Sequence, residues 1–366
     1  MTRASDLVWP LAVIAGVTLW RIGALWFNQV DLFMDEAQYW LWGQEPAFGY
    51  FSKPPLVGWA IRASVELGGS DAPFWVRLPG PLAHGIAGVL ISLAALRVWP
   101  GKAGAWAGAV YVSLPGIAIL AQFISTDDLL LPCVALALWA WLSMCARPGL
   151  GWAIALGAAV GLGMMAKYAM IYFVVLAVLA RVIGFGRGIA LRDAGIAAGV
   201  AVLLFAPNVW WNLANGFITL SHTAENAGWD GFRLNWSGAA EFLGTQFAAF
   251  FPIFGLAYLI AAARPAEGGQ GARILLFFSA AIFLAVTAQA LIRDANANWA
   301  APAFVAGTAL AAPWLFLRSR RWFVAGLAVN LIFAVALPLT AMDPARWIVR
   351  GETIYARTLG VAELSE

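Results

Sequence analysis

Charge is scarce in this chain. Only 11% of its 366 residues are Asp, Glu, Lys or Arg, against about 25% in ordinary globular chains. That shortage excludes a conventional water-soluble fold. The formal net charge is +3, which provides no basic face for nucleic acid, and no nucleic-acid partner is expected. Cysteine is limited to Cys133 and Cys145, both inside one apolar run; they suggest neither a disulfide framework nor a zinc cluster and read as small packing residues. Histidine is limited to His84 and His222. His222 has no companion at ligand spacing, so no metal site is assigned, and His84 reads as an interhelical hydrogen-bonding residue. Also missing are an internal repeat of fixed period and any polar stretch long enough to fold alone.

What the sequence has instead is apolar surface. Hydrophobic residues make up 62% of the chain, and its mean hydropathy is +0.80. A helix needs roughly 20 mostly apolar residues to cross a hydrocarbon core about 30 Å thick, because each residue rises about 1.5 Å. Runs of this kind fall near 7–27, 78–98, 104–122, 128–145, 150–165, 169–184, 193–211, 241–262, 274–292, 299–316 and 322–340. These eleven runs predict an all-α polytopic membrane protein. The 150–165 run is short, so it and the next are open to tilting, merging or a re-entrant path. No small-residue cleavage site follows the first run, which is therefore expected to be retained. With the amino terminus inside, the cytoplasmic side carries 12 Lys or Arg against 3 Asp or Glu. The positive-inside rule then assigns residues 28–77, residues 212–240 and the tail 341–366 to the outer face of a membrane body spanning 1–340.

Polar chemistry collects on that outer face. Asp35 and Glu36 follow the first run and precede Tyr39, Trp40 and Trp42; Lys53 precedes the Pro54-Pro55 break, which turns the chain along the interface. The stretch from Leu56 to Leu67 is too short to cross and carries Arg62 and Glu66 at i, i+4 spacing, which predicts a helix lying in the interface. Asp127 and Asp128 mark the outer mouth of the third and fourth runs, and Lys167 and Tyr168 the junction of the fifth and sixth. Each such residue alone also suits a helix cap or a snorkelling side chain. Several on one leaflet favour a site at the membrane surface. The second outer region mixes Trp210, Trp211, Trp229 and Trp236 with Asn212, His222, Glu225, Asp230 and Arg233, a composition that suits sugars and a membrane-surface loop equally.

These residues carry a resemblance. The stretch MDEAQYWLWGQEPAFGYFSKPPLVGWAIR from Met34 resembles the first outer loop of bacterial glycosyltransferase family 39, the relatives of protein O-mannosyltransferases and lipid A aminoarabinose transferases. Further matches keep their order over most of the chain: RLPGPLAHG from Arg77, FISTDDLLLP from Phe123, GLGMMAKYAM from Gly161, PNVWWNLANGF from Pro207 and NANWAAPAFVAG from Asn296. The resemblance implies a GT-C helical bundle of about 11 membrane helices, with interfacial helices in its first outer loop. It implies an enzyme of the bacterial inner membrane whose active site faces the periplasm. Its donor would be a sugar on a polyprenyl phosphate; its acceptor, an envelope glycolipid, polysaccharide or protein; its other partners, membrane lipids.

By the same resemblance Asp35 is the expected catalytic carboxylate, with Glu36 beside it and Asp127 at the second acidic position. Asp128 stands where the family usually has a small residue. Lys53 occupies a position that is Lys in aminoarabinose transferases. Ser52 stands where related enzymes commonly have an acid, so a divalent cation is left open rather than assigned. An attacking hydroxyl must lose its proton, which suits a positioned carboxylate as general base. A departing lipid phosphate needs fixed cations, for which Lys53, Lys167, Arg77 and Arg293 are the candidates. Tyr39, Tyr50, Tyr168, Trp211, Asn212, His222 and Asn298 are the candidate substrate contacts. Attack opposite the phosphate would invert the anomeric centre. A non-enzymatic carrier or flippase for polyprenyl lipids, or an inactive scaffold subunit, is the alternative; carriers tend to place ionisable groups near the bilayer midplane, whereas these cluster at the ends of apolar runs.

Overall fold

The computed structural model describes residues 3–186, 188–227, 234–250, 252–265, 267–293, 295–349, 351–356 and 358. Helix α1 (Ala4–Trp26) leads into the first loop, which holds α2 (Met34–Gln44) and α3 (Leu56–Gly68). The short α4 (Pro73–Arg77) then runs into α5 (Pro79–Leu96). The run expected at 104–122 is divided into α6 (Lys102–Ala105), α7 (Ala107–Ser113) and α8 (Pro115–Leu120). Pro115 explains the second break, since proline cannot donate to the preceding turn. There follow α9 (Thr126–Ala146), α10 (Leu150–Ala166), α11 (Ile171–Val182), α12 (Leu191–Ala214) and α13 (Ile218–Ala227). The last group is α14 (Trp236–Phe250), α15 (Pro252–Ala263), α16 (Gly269–Ile292), α17 (Ala301–Arg318) and α18 (Arg320–Thr340).

Among the described residues seven helices are long and apolar enough to cross a membrane, or eight if α14 and α15, bent by 108°, form one broken span. Helix α10 and the segment Tyr168–Val182 are apolar but shorter. Eleven continuous spans are thus replaced by long helices, broken ones and two short ones. The predicted interfacial helix is α3, with its Arg62–Glu66 pair closed at 2.6 Å.

Small residues let the helices approach closely, as expected where lipid supplies no hydrophobic drive for helix association. Gly157 and Gly161 of α10 lie against the backbone of Ala197 and Ala201 in α12. Gly108 of α7 faces Gly88 of α5 so closely that a Cβ would fall 1.8 Å from the Gly88 carbonyl oxygen. Gly108→Ala is accordingly expected to force α5 and α7 apart, costing about 1–3 kcal/mol and lowering the melting temperature of the solubilised protein. An unchanged melting temperature would show that the two backbones separate freely.

The described part of the tail is not a loose end. Strands β1 (Ile348–Val349) and β2 (Glu352–Thr353) pair antiparallel, and Tyr355 packs with Val30 and Ala341. The Tyr355 hydroxyl lies 2.7 Å from Thr340 Oγ1 and donates to Gln122 Oε1 at 3.1 Å, while the Asp31 amide donates to the Thr358 carbonyl. The tail therefore braces the first loop from behind.

Candidate functional site

The loop between α1 and α5 is held by one buried ion pair. Glu36, in the first turn of α2, and Arg77, at the end of α4, are each 1% exposed. Arg77 Nη2 and Nε donate to the two Glu36 oxygens at 2.7 and 2.9 Å, and Arg77 also donates to the carbonyls of Val30 and Asp31. Glu36 accepts in addition from the amides of Phe33 and Ile124. The bidentate fork satisfies both charges and joins the first loop to the start of α9. Glu36 accepts four hydrogen bonds here and Arg77 commits four of its five N–H groups within the protein. The geometry thus gives both, expected in the site, a scaffold role.

Asp35, one residue earlier, is exposed, because adjacent helical side chains point about 100° apart. Behind it Tyr39 is buried, and its phenol is pushed far above the usual range by burial and then by the charge of Asp35. Tyr39 therefore stays protonated as a donor beside that carboxylate. Lys53 lies within electrostatic reach of Asp35, Asp127 and Lys167; burial, reinforced by Lys167, holds its ammonium below the usual lysine range.

Asp127 is 1% exposed in the first turn of α9. Lys167, at the end of α10, donates to both of its oxygens at 2.8 Å, and Asn298 Nδ2 donates to Oδ2 at 2.7 Å. The sequence places these residues far apart. The structure makes them one cluster beside a cavity of about 410 Å³ whose walls include Lys53, Lys167, Tyr168, Thr223, Asn296 and Trp299. Tyr168 is fixed there by Asn208 Oδ1, to which it donates at 2.9 Å, and by Asn212 Nδ2, from which it accepts at 3.1 Å. Asn208 also donates to the carbonyl of Phe48, and Thr219 of α13 to that of Tyr50. The second outer region is thereby tied to the first loop.

Other expected substrate contacts have structural roles. Tyr50 is buried, donates to the Trp42 carbonyl at 2.7 Å and stacks on the Trp42 ring at 4.9 Å. Asn212 is 2% exposed and orients Tyr168. Trp211 packs on Gly49, where a Cβ would lie 2.4 Å from its ring. His222 lies against Phe51 at 4.9 Å. Arg293 caps α16 and is not among the residues lining the cavity; its Nε is buried without a hydrogen-bond partner among the described residues. Trp229, Asp230 and Arg233 lie outside the described residues, as does the Glu225 side chain. Sequence reasoning missed Thr223, Asn208, Tyr172, Asn296 and Trp299. The last two fall inside the quoted NANWAAPAFVAG stretch, which was the available signal.

A second cavity of about 480 Å³ is almost wholly apolar and runs between α10, α11 and α12. Ile171 lines both this groove and the polar cavity. Along α11 its wall continues through Val174, Val178 and Val182, residues that recur at helical spacing on one face. The polar chamber and an apolar slot wide enough for a hydrocarbon chain therefore adjoin at Ile171. Among the described residues no three His, Cys, Asp or Glu side chains come together as a ligand set. Asp127 is already satisfied by Lys167 and Asn298, so these donors do not fit a resident divalent cation.

Comparison with known proteins agrees with this architecture. A family model described as dolichyl-phosphate-mannose-protein mannosyltransferase matches residues 52–211. The chain is 38% identical over 358 residues to the lipid A galacturonosyltransferase RgtD of Rhizobium johnstonii, covering 97% of this chain and 76% of the relative. Crystal structures of ArnT from Cupriavidus metallidurans, apo and bound to undecaprenyl phosphate, superpose with TM-scores of 0.71 and 0.70. They share 20% and 21% identity with it, covering 95% of this chain and 67% of theirs. The archaeal oligosaccharyltransferase AglB from Archaeoglobus fulgidus superposes at 0.57 with 12% identity, over 90% of this chain and 56% of its own. The fold is of the GT-C type, a multi-pass helical membrane architecture. The chain belongs to glycosyltransferase family 39.

Proposed function

We propose that this enzyme transfers a uronic acid from a polyprenyl-phosphate carrier to a lipid A-type glycolipid at the periplasmic face of the inner membrane. The observation that carries the reading is that a lysine-lined polar chamber and an apolar groove lie side by side, with Ile171 in the wall of both. A lipid-linked sugar phosphate has those two parts in that order. The isoprenoid chain lies in the groove, and the phosphate meets Lys53 and Lys167. The nature of sugar and acceptor follows from what the Rhizobium johnstonii relative is named for.

In the reaction Asp35 takes the proton from an acceptor hydroxyl as the oxygen attacks the anomeric carbon. The bond from that carbon to the phosphate oxygen breaks, and the polyprenyl phosphate leaves with the electron pair. Lys53 and Lys167 stabilise the growing charge on the leaving oxygen, and the anomeric centre inverts. Purified protein in liposomes, given a labelled polyprenyl-phosphate uronic acid and lipid A, is expected to produce labelled lipid A. Movement of the labelled donor between leaflets with no new glycosidic bond would instead establish a carrier.

The depressed ammonium of Lys53 adds a pH signature. Only its protonated form binds phosphate, so kcat/KM for the donor falls as pH rises through the Lys53 pKa, below where an ordinary lysine titrates. Bound phosphate favours the ammonium, so the fall in kcat comes at higher pH than the fall in kcat/KM. Lys53→Arg should remove this limb because guanidinium remains charged. An alkaline limb that persists in Lys53→Arg assigns the titration to another group.

A further inference from the structure

The neighbours Asp127 and Asp128 point to different surroundings. Asp127 holds Lys167 of the chamber wall, whereas Asp128 is fully buried among the helices. Asp128 Oδ1 lies 2.6 Å from His84 Nε2 of α5, and Oδ2 accepts from the Ser125 amide and hydroxyl at 2.6 and 2.8 Å. His84 Nδ1 lies 3.0 Å from the Tyr111 hydroxyl of α7. His84, Tyr111 and Asp128 are all 0% exposed. The contacts are met with Nε2–H donating to Asp128 and the Tyr111 hydroxyl donating to Nδ1. Arg21 of α1, buried and donating to the Val112 carbonyl at 2.7 Å, is within electrostatic reach of Asp128 and balances its charge. A buried carboxylate is costly unless paired in this way. The family resemblance expects a small residue at position 128, and the transfer reaction described above uses none of these groups.

We propose that His84 and Asp128, backed by Tyr111, are positioning residues that fix the amino end of α9 and thereby the Asp127–Lys167 pair in the donor chamber. The proposal rests on the reading of Lys167 and Lys53 as donor-phosphate cations. Residues 127 and 128 share one rigid helical turn, so a rotation or shift that frees the Asp128 carboxylate also moves Asp127, which holds Lys167 in the chamber wall. A misplacement of about 1 Å can cost about 100-fold in rate or binding.

The test uses the intact protein in nanodiscs, with donor KM and kcat, the Kd of polyprenyl phosphate alone, and melting temperature measured together. His84→Leu is expected to raise donor KM and that Kd about tenfold and to lower kcat as well, because Lys167 also stabilises the leaving charge. His84→Gln, whose amide can donate to Asp128, is expected to recover most of the affinity without recovering melting temperature. Tyr111→Phe removes one hydroxyl, keeps the packing and is expected to raise Kd about threefold; it decides the matter if His84→Leu does not fold. Wild-type Kd in folded His84→Leu, or in Tyr111→Phe where that variant must decide, overturns the proposal. So does a rise in Kd that His84→Gln fails to reverse. Lys53→Ala serves as the control for the underlying reading. A wild-type Kd in Lys53→Ala removes the phosphate site itself, whereas a raised Kd there beside unaffected His84 variants removes only the positioning role.

Discussion

Asp35→Asn is expected to lower kcat by about 10²- to 10⁴-fold, the span usual for loss of a general base, with donor Kd and melting temperature near wild type. The expectation of normal stability has a structural basis. Asp35 is exposed, and the isosteric amide leaves no buried charge without a partner. Its stabilising effect at the amino end of α2 is of order 0.3–1 kcal/mol, which a membrane bundle of this size tolerates. Single-turnover transfer with saturating donor isolates the chemical step from product release. Turnover within a few-fold of wild type would remove Asp35 from the base role and redirect attention to the acceptor's own groups.

Glu36→Ala is expected to have the opposite signature. It strands the Arg77 guanidinium, 1% exposed, and removes the acceptor for the Ile124 amide that begins the approach to α9. Breaking one partner of a buried ion pair typically costs about 3–5 kcal/mol, against a total stability of about 5–15 kcal/mol for a typical domain. The variant is expected to melt far below wild type or to be lost from the membrane, while any folded fraction keeps near-normal kcat. Glu36→Gln, which retains acceptor and shape, is expected to fall between. A stable but inactive Glu36→Ala would return that carboxylate to the chemistry. These two outcomes together would assign reaction to one acid and support to its neighbour, one helical residue apart.

The broad architecture was legible because membrane solvent imposes a length rule on apolar runs, and because basic residues gather on one side of them. What the rule does not see is where a run is interrupted. The 104–122 stretch reads as one span, yet it is divided at Trp106 and again before Pro115. The site was legible in part. Asp35, Lys53, Asp127 and Lys167 were identifiable as polar groups at the outer ends of apolar runs, and the structure gathers Asp127, Lys167 and Asn298 into one cluster. The sorting of Arg77 from Lys53 was not legible, since both are cations on the same loop. Only burial and the Glu36 fork distinguish the clamp from the chamber wall. His84 was readable as an interhelical residue, but not its partner, because the pairing crosses from α5 to α9.

The salt link between Asp127 and Lys167 bears on how the spent carrier departs. The incoming sugar phosphate is a diester with one negative charge, whereas the carrier left behind is a monoester of about −1.5 to −2 at neutral pH. Two free ammonium groups would grip the spent molecule harder than the fresh one and stall the cycle. On the proposed reading, pairing Lys167 with an aspartate already in contact at 2.8 Å weakens the chamber's hold on the more highly charged species. Turnover then depends as much on letting go as on bond making.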